Sequence, residues 1–179
     1  MEATLASVRE SDHDQAITAA LPSLLPRLYN FARYRLAPDD ARDAVGAALE
    51  HLWRNRGRAP DADTVSVEHW AMRVAVNKML DEVRRHRRRP SQVSLSDLDI
   101  GVSDPNDRLP QLLQLRAALE TLPRRDADLV ALRFGAELSN LEIAELWNMT
   151  PGAVAVAVHR ALGRLRTEIG LKGDSDART

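Results

Sequence analysis

The stretch from Leu138 to Arg166, LSNLEIAELWNMTPGAVAVAVHRALGRLR, most narrowly limits what this chain can fold into. Ser139 and Glu142 form an S-x-x-E capping box, which satisfies free amide donors at a helix start. Ile143, Ala144 and Trp147 then make a one-sided apolar stripe. Asn148-Met149 interrupts the pattern, and Thr150-Pro151 restarts it with an N-cap hydroxyl followed by proline at the first helical position. Val154, Val158, Ala161, Leu162, Leu165 and Ile169 share one face of the second helix. A short helix, a tight turn and a longer helix make a helix-turn-helix, whose second helix enters the DNA major groove. An ordinary αα-hairpin in a helical core has the same periodicity, which by itself does not choose between the two.

The rest of the composition narrows the field. With 179 residues the chain holds one domain or two small ones, and its Ala, Leu and Arg favour helix. It has no cysteine, which excludes disulfides, thiol catalysis and cysteine-ligated zinc. His13, His51, His69, His86 and His159 are scattered, with no H-E-x-x-H or nucleophile motif, so neither catalysis, a metal nor a cofactor is expected. No apolar run approaches the roughly 18 residues of a membrane span. The opening MEATLASVRESDHD is acidic and polar, unlike a secretory signal, and a cytoplasmic protein without membrane insertion is expected. The net charge of −1 conceals a polarity: Arg84, Arg85, Arg87, Arg88 and Arg89 crowd one segment, and Asp97, Asp99, Asp104 and Asp107 the next. Such a basic block is usually a solvated face, but at a helix end it also suits phosphate binding.

Taken in order, the first 14 or so residues lack periodicity and read as a loose tail. Leu21, Leu24, Leu25, Leu28, Ala32 and Leu36 follow helical spacing, with Pro22 and Pro26 predicting a late start or a bend. Ala37-Pro38-Asp39-Asp40 opens a second helix, which should bury Ala41, Val45, Ala48, Leu49, Leu52 and Trp53. A loop spans Arg56 to Asp63. A longer helix from about Ser66 to Arg88 places Met72, Val76, Met79, Leu80 and Val83 on a core face. Arg73, Asn77, Asp81 and Arg84 form its polar stripe, which is either a salt-bridged solvent face or a binding surface. The acidic stretch 91–108, broken by Gly101 and Pro105, reads as a linker. Leu112, Leu115, Leu119 and Leu122 begin a second domain, Leu129, Leu132 and Phe134 continue its core, and Gly135 fits a helix C-cap. The tail after Ile169 reads as disordered.

These segments resemble the sigma-70 family of bacterial RNA polymerase sigma factors, in its extracytoplasmic-function group. The resemblance to region 4 rests on Leu122-Pro123, Leu132-Arg133, Leu138-Ser139, Glu142-Ile143-Ala144, Met149-Thr150, Gly152, Val154 and His159-Arg160-Ala161. That to region 2 rests on Asp40-Ala41, Asp43, Val45 and Leu52-Trp53-Arg54, then Trp70, Arg73-Val74-Ala75, Asn77, Asp81 and Arg84-Arg85. It implies an all-α protein of two small helical domains, residues 15–90 and 109–170, joined by a flexible acidic linker at 91–108.

The same resemblance implies a sigma factor that binds core RNA polymerase and directs promoter-specific initiation, with an anti-sigma factor as a further candidate partner. Asp40, Asp43, Gly46 and Trp53 fall on the polymerase-docking helix, Trp53 being expected in the core more than at the contact. The loop Arg58–Glu68 and Asn77 would capture an unstacked base of the −10 element, with Arg73, Arg84, Arg85, Arg87 and Arg88 beside it for the backbone. An Asn amide both donates and accepts, which suits a base edge. Ser139, Thr150, Gly152, Ala153, Ala155, Val156, Arg160 and Arg164 fall where the helix-turn-helix meets the −35 element.

Two stretches depart from the family pattern. Gly46 stands where relatives have Gln, followed by Ala47 in place of an acidic residue. The front of the second helix of the motif is Gly152, Ala153, Ala155, Val156 and Ala157, positions among which relatives usually carry Lys or Arg. Ala and Val touch a thymine methyl but make no bidentate base contact, so weakened −35 reading is expected. Two other readings compete. A stand-alone helix-turn-helix regulator leaves the first domain unexplained, and a sigma-like protein-interaction module would use the apolar face to bind protein.

Overall fold

The computed structural model describes residues 2–60, 64–86 and 109–176, and among these it is helical with no strand. Helix α1 spans Glu2–Arg35, α2 Pro38–Arg54 and α3 Thr64–His86, with a short 3-10 turn at Arg56–Arg58. Then follow α4 (Leu109–Thr121), α5 (Arg124–Val130), a π-helical turn at Ala131–Gly135, α6 (Asn140–Trp147) and α7 (Pro151–Asp176). The expected acidic linker and Arg87, Arg88 and Arg89 lie outside the described residues.

Helix α1 departs from expectation at its start and at its prolines. It begins at Glu2, where a loose tail was expected, and it continues through Pro22 and Pro26. Glu2, Ala3, Leu5, Ala6, Arg9 and Glu10 are good helix formers, so a helix forms there without an apolar spacing to announce it. Both prolines sit on the exposed side, where water serves the carbonyls left without donors. On the opposite side Ile17, Ala20, Leu24, Leu28, Phe31 and Ala32 are buried at helical spacing.

Helix α2 starts as its sequence dictates, with proline in its first turn and Asp39 and Asp40 favoured by the helix dipole. It buries Ala41, Ala44, Val45, Ala48 and Leu52. Trp53 is not in the core: it is 44% exposed, with the Arg56 guanidinium 5.2 Å from its ring centre. The core already receives Leu52, and the next residue along a helix is turned about 100° away from it. Helix α3 buries Met72, Val76, Met79, Leu80 and Val83 as expected.

In the second half α6 and α7 form the helix-turn-helix. The Ser139 hydroxyl accepts from the Glu142 amide at 3.2 Å, and the Glu142 carboxylate accepts from the Ser139 amide at 2.7 Å. Asn148 ends α6 with a left-handed φ of 51°, which Asn tolerates better than most residues. The Thr150 hydroxyl accepts from the Ala153 amide at 3.2 Å and caps α7. Val154, Val158, Ala161 and Leu165 are buried as their spacing requires. Helix α7 continues to Asp176, past the point where disorder was expected.

The two halves share a core. One apolar cluster runs from Leu24, Leu28 and Phe31 through Met72 and Val76 into Leu129, Leu132, Leu138, Ile143 and Val154. A smaller cluster of Ala118, Leu119, Leu122, Val130, Ala161 and Leu165 lies within the second half. The junction is tightest at Gly135, where an added Cβ would sit 2.8 Å from the Phe31 Cα. Gly135 is therefore required by close approach to α1, not by a positive-φ helix cap. Phe134 is 45% exposed and outside the core, because Ala131, Leu132 and Gly135 are the residues of the π turn that face inward.

Candidate nucleic-acid and polymerase interface

The outer side of α2 carries Asp43, Gly46, Glu50, Trp53 and Arg54, all exposed. Asp40, from the same helix, is turned toward α3 and pairs with His86, Nε2 to Oδ1 3.2 Å. It braces the two helices. The absence of a side chain at Gly46 flattens this face, as nothing lies within 4 Å of where a Cβ would be. Exposed Trp53 with Arg56 above it offers an aromatic and cationic anchor of the kind enriched at protein interfaces.

The polar stripe of α3 is fully outward: Arg73, Asn77, Asp81 and Arg84 are all exposed. Its two ends differ. Toward the C-terminus Arg84 pairs with Asp81 at 3.0 Å, and Arg85 is held by Glu82, a buried carboxylate that also receives Lys78 at 2.8 Å. These arginines carry local partners, so DNA phosphates would have to compete for them. Toward the N-terminus Arg58, Pro60, Ser66, His69, Trp70, Met72 and Arg73 line a cavity of about 370 Å³. The far wall of that cavity is Leu138 and, from α6, Glu142, Glu145 and Leu146. Glu68, from the expected base-capturing loop, accepts from the Ser23 hydroxyl at 2.7 Å and lies 3.7 Å from Arg27.

Glu142 is the most heavily engaged acid of the site. Burial pushes its carboxyl up, but the Ser139 hydroxyl and amide, with His69 and Arg27 nearby, outweigh this and hold it below the usual carboxylate range. His69 Nε2 is 3.0 Å from Glu142 Oε1, so a histidine that in the sequence is only one of five scattered ones bridges the two halves.

On α7 the front is bare, as its sequence predicts. Gly152, Ala153 and Ala155 are exposed and Val156 is 50% exposed, while Ala157 is partly covered. Arg160 is exposed, but Arg164 is tied to Asp126. Ser139 and Thr150 are occupied as caps, although both stay exposed. Spacing alone did not reveal Arg125. From α5 it reaches this face, its guanidinium 5.4 Å from the Trp147 ring centre and donating to Met149 Sδ at 3.0 Å. Arg125, Arg160 and Arg164 thus rim an apolar floor of Met149, Ala153 and Val156.

A helical bundle with one exposed outer face and one polar stripe, packed against a helix-turn-helix, is the architecture of a DNA-binding protein class. The Sigma-70 region 2 profile matches residues 22–89, and the Sigma-70, region 4 profile matches residues 112–165. The RNA polymerase sigma-E factor of Streptomyces avermitilis is 32% identical over 80% of this chain and 79% of its own length. The ECF RNA polymerase sigma factor SigF of Caulobacter vibrioides is 32% identical over 82% and 80%. The ECF RNA polymerase sigma factor SigD of Mycobacterium tuberculosis is 28% identical over 97% and 86%. The chain belongs to the sigma-70 family of RNA polymerase sigma factors, in the extracytoplasmic-function group. Its fold is similar to that of CnrH solved in complex with the cytosolic domain of CnrY, with a TM-score of 0.61 at 20% identity over 97% of both chains. It is also similar to the sigma factor RpoE solved with the anti-sigma factor NepR from Bartonella quintana, with a TM-score of 0.57 at 19% identity over 89% and 97%. Among the described residues no helix is long and apolar enough to cross a membrane.

Proposed function

We propose that this sigma factor directs initiation by dividing its tasks between the halves, with the first doing most of the promoter recognition. The protein binds core RNA polymerase and promoter DNA and acts in the cytoplasm without covalent chemistry of its own. The outer face of α2, from Asp43 to Trp53, docks on the polymerase. The stripe of Arg73 and Asn77 receives an extruded base of the −10 element. Melting costs stacking energy, which hydrogen bonds and packing around an extruded base return. Arg84, Arg85, Arg87 and Arg88 supply salt-sensitive attraction to phosphates. The second half contributes polymerase contact and backbone binding through Arg125 and Arg160, with little base reading by α7. An anti-sigma protein is a further partner consistent with the family.

The observation that carries this reading is that α3 buries one complete apolar face while its Arg73–Asn77 side stays open, beside the cavity at its N-terminal end. Permanganate footprinting of promoter opening by core polymerase with the full chain tests it. Asn77→Ala is expected to lower reactivity of the melted region while leaving polymerase binding intact. Unchanged reactivity would remove Asn77 from base capture.

A further inference from the structure

Val156 stands at the centre of the outward face of α7. Val154, Val158, Ala161 and Leu165 turn into the core, and at about 100° per residue the direction opposite to them falls on Val156. Gly152 and Arg160 lie one turn to either side, with Ala153 beside them, all exposed. Val156 itself is 50% exposed, over a depression of about 540 Å³ floored by Met149 and Ala153 and rimmed by Arg125 and Arg160. We infer that Val156 is the specificity-determining residue of α7, and that it reads the 5-methyl group of a pyrimidine in the major groove. The inference rests on the reading above that α7 lies on promoter DNA, and it names the base selectivity that a bare front retains.

Three observations carry it. Between Pro151 and His159 no side chain of α7 has a hydrogen-bonding group. Donors and acceptors on the base edges therefore find no partner there, and the thymine methyl is the major-groove feature that an apolar side chain does contact. The face is also shallow for a reason outside the fold. An added Cβ at Gly152 would meet nothing within 4 Å, so packing within the protein does not demand a glycine. Gly152 and Ala153 leave the helix backbone free to approach the base edges closely, which brings the short Val156 within reach of a methyl group.

The cations, finally, stand where phosphates would lie. Arg125 is held just ahead of α7, 5.4 Å from the Trp147 ring centre and donating to Met149 Sδ at 3.0 Å. Gly152 and Arg160 are about 12 Å apart along the helix at 1.5 Å per residue, close to the roughly 12 Å width of the major groove. Arginines at both ends of the apolar front thus suit the phosphate edges, with the base methyls between them. A protein partner fits less well, because valine is under-represented among the side chains that anchor protein interfaces.

A reader of methyl groups alone has a consequence for modified DNA. Thymine and 5-methylcytosine share the methyl and differ in their hydrogen-bonding groups, to which this face is blind. Methylation of a cytosine should therefore create a contact where none existed.

Core polymerase carrying the full chain is given a promoter that it opens, with the −35 region replaced by randomised duplex. Thymine is expected at the enriched positions. Replacing it by uracil removes only the methyl group and should weaken holoenzyme binding about threefold per base. Replacing cytosine by 5-methylcytosine at the same positions should strengthen binding by a similar factor. Val156→Ala, which keeps a good helix former, should bring both ratios near one. Equal binding of thymine and uracil duplexes overturns the inference, and so does a ratio that Val156→Ala leaves unchanged. Arg160→Ala separates the two levels. If it lowers the salt slope of binding while uracil and thymine duplexes bind equally, α7 lies on DNA and only methyl reading fails. If neither change has an effect, α7 does not lie on DNA, its face is left to a protein partner, and the reading of the second half fails together with this inference.

Discussion

Arg35 at the end of α1 and Asp128 in α5 form an ion pair across the two halves, Nη2 to Oδ1 3.0 Å, with side chains 0% and 6% exposed. A pair so deeply buried adds little net stability, because its desolvation offsets its attraction, but removing one partner strands the other charge. Arg35→Ala should therefore destabilise the protein by about 3–5 kcal/mol. The double change Arg35→Met with Asp128→Leu should recover most of that loss. Urea unfolding of the three proteins measures both, and a double variant as weak as the single one would contradict the account.

Gly135 tests the close approach directly. Gly135→Ala should cost about 1–3 kcal/mol through overpacking, because its Cβ meets backbone atoms of Asn30 and Phe31. Truncation by Phe31→Ala should not relieve it, since the obstructing atoms are main-chain. Rescue in the double variant, seen by chemical denaturation, would place the clash elsewhere.

The capping box sets an acid dependence. Ser139→Ala should lower stability by about 1 kcal/mol. The Glu142 carboxyl is held below its ordinary value of 4.5, so its stabilising contribution is complete above that pH and is lost as pH falls through the depressed folded value. Wild type and Glu142→Gln should consequently converge in stability at acid pH and separate toward neutrality. Parallel curves from pH 3 to pH 7 would show that Glu142 does not contribute in this way.

Exposure of Trp53 separates binding from folding. Trp53→Ala should leave stability within about 0.5 kcal/mol, as for a surface residue. Its loss should weaken core-polymerase binding by about 2 kcal/mol, the scale of an interface hot spot. Titration of labelled full chain with core enzyme gives the affinity, and unchanged affinity would put docking on another face.

The bare front of α7 predicts weak sequence reading at −35. Arg160→Ala should reduce the salt slope of promoter binding by about 1, whereas Arg164→Ala should change it less, because Asp126 already neutralises Arg164. Single substitutions across the −35 region should affect transcription far less than those at −10. A comparable loss at both would show that α7 reads bases.

What the sequence determined by itself is local. The capping box, the Thr150-Pro151 restart, the Pro38 start of α2 and the apolar faces of α3 and α7 follow from caps and 3.6-residue spacing, which act within a few positions. The bare surface at Gly152, Ala153, Ala155 and Val156 was legible for the same reason. Tertiary structure decided where those elements meet. Trp53 and Phe134 have core-like chemistry, yet lie outside because neighbouring residues fill the core first. Gly135 looks like a helix cap until α1 is laid against it, and Arg125 reaches α7 only when α5 is in place. The placement of Glu142 opposite His69 has the same origin. Its role as a cap is written in the four residues from Ser139, but its place at the mouth of the α3 cavity depends on burying the apolar faces of both halves in one core, a non-local demand that no spacing along the chain records.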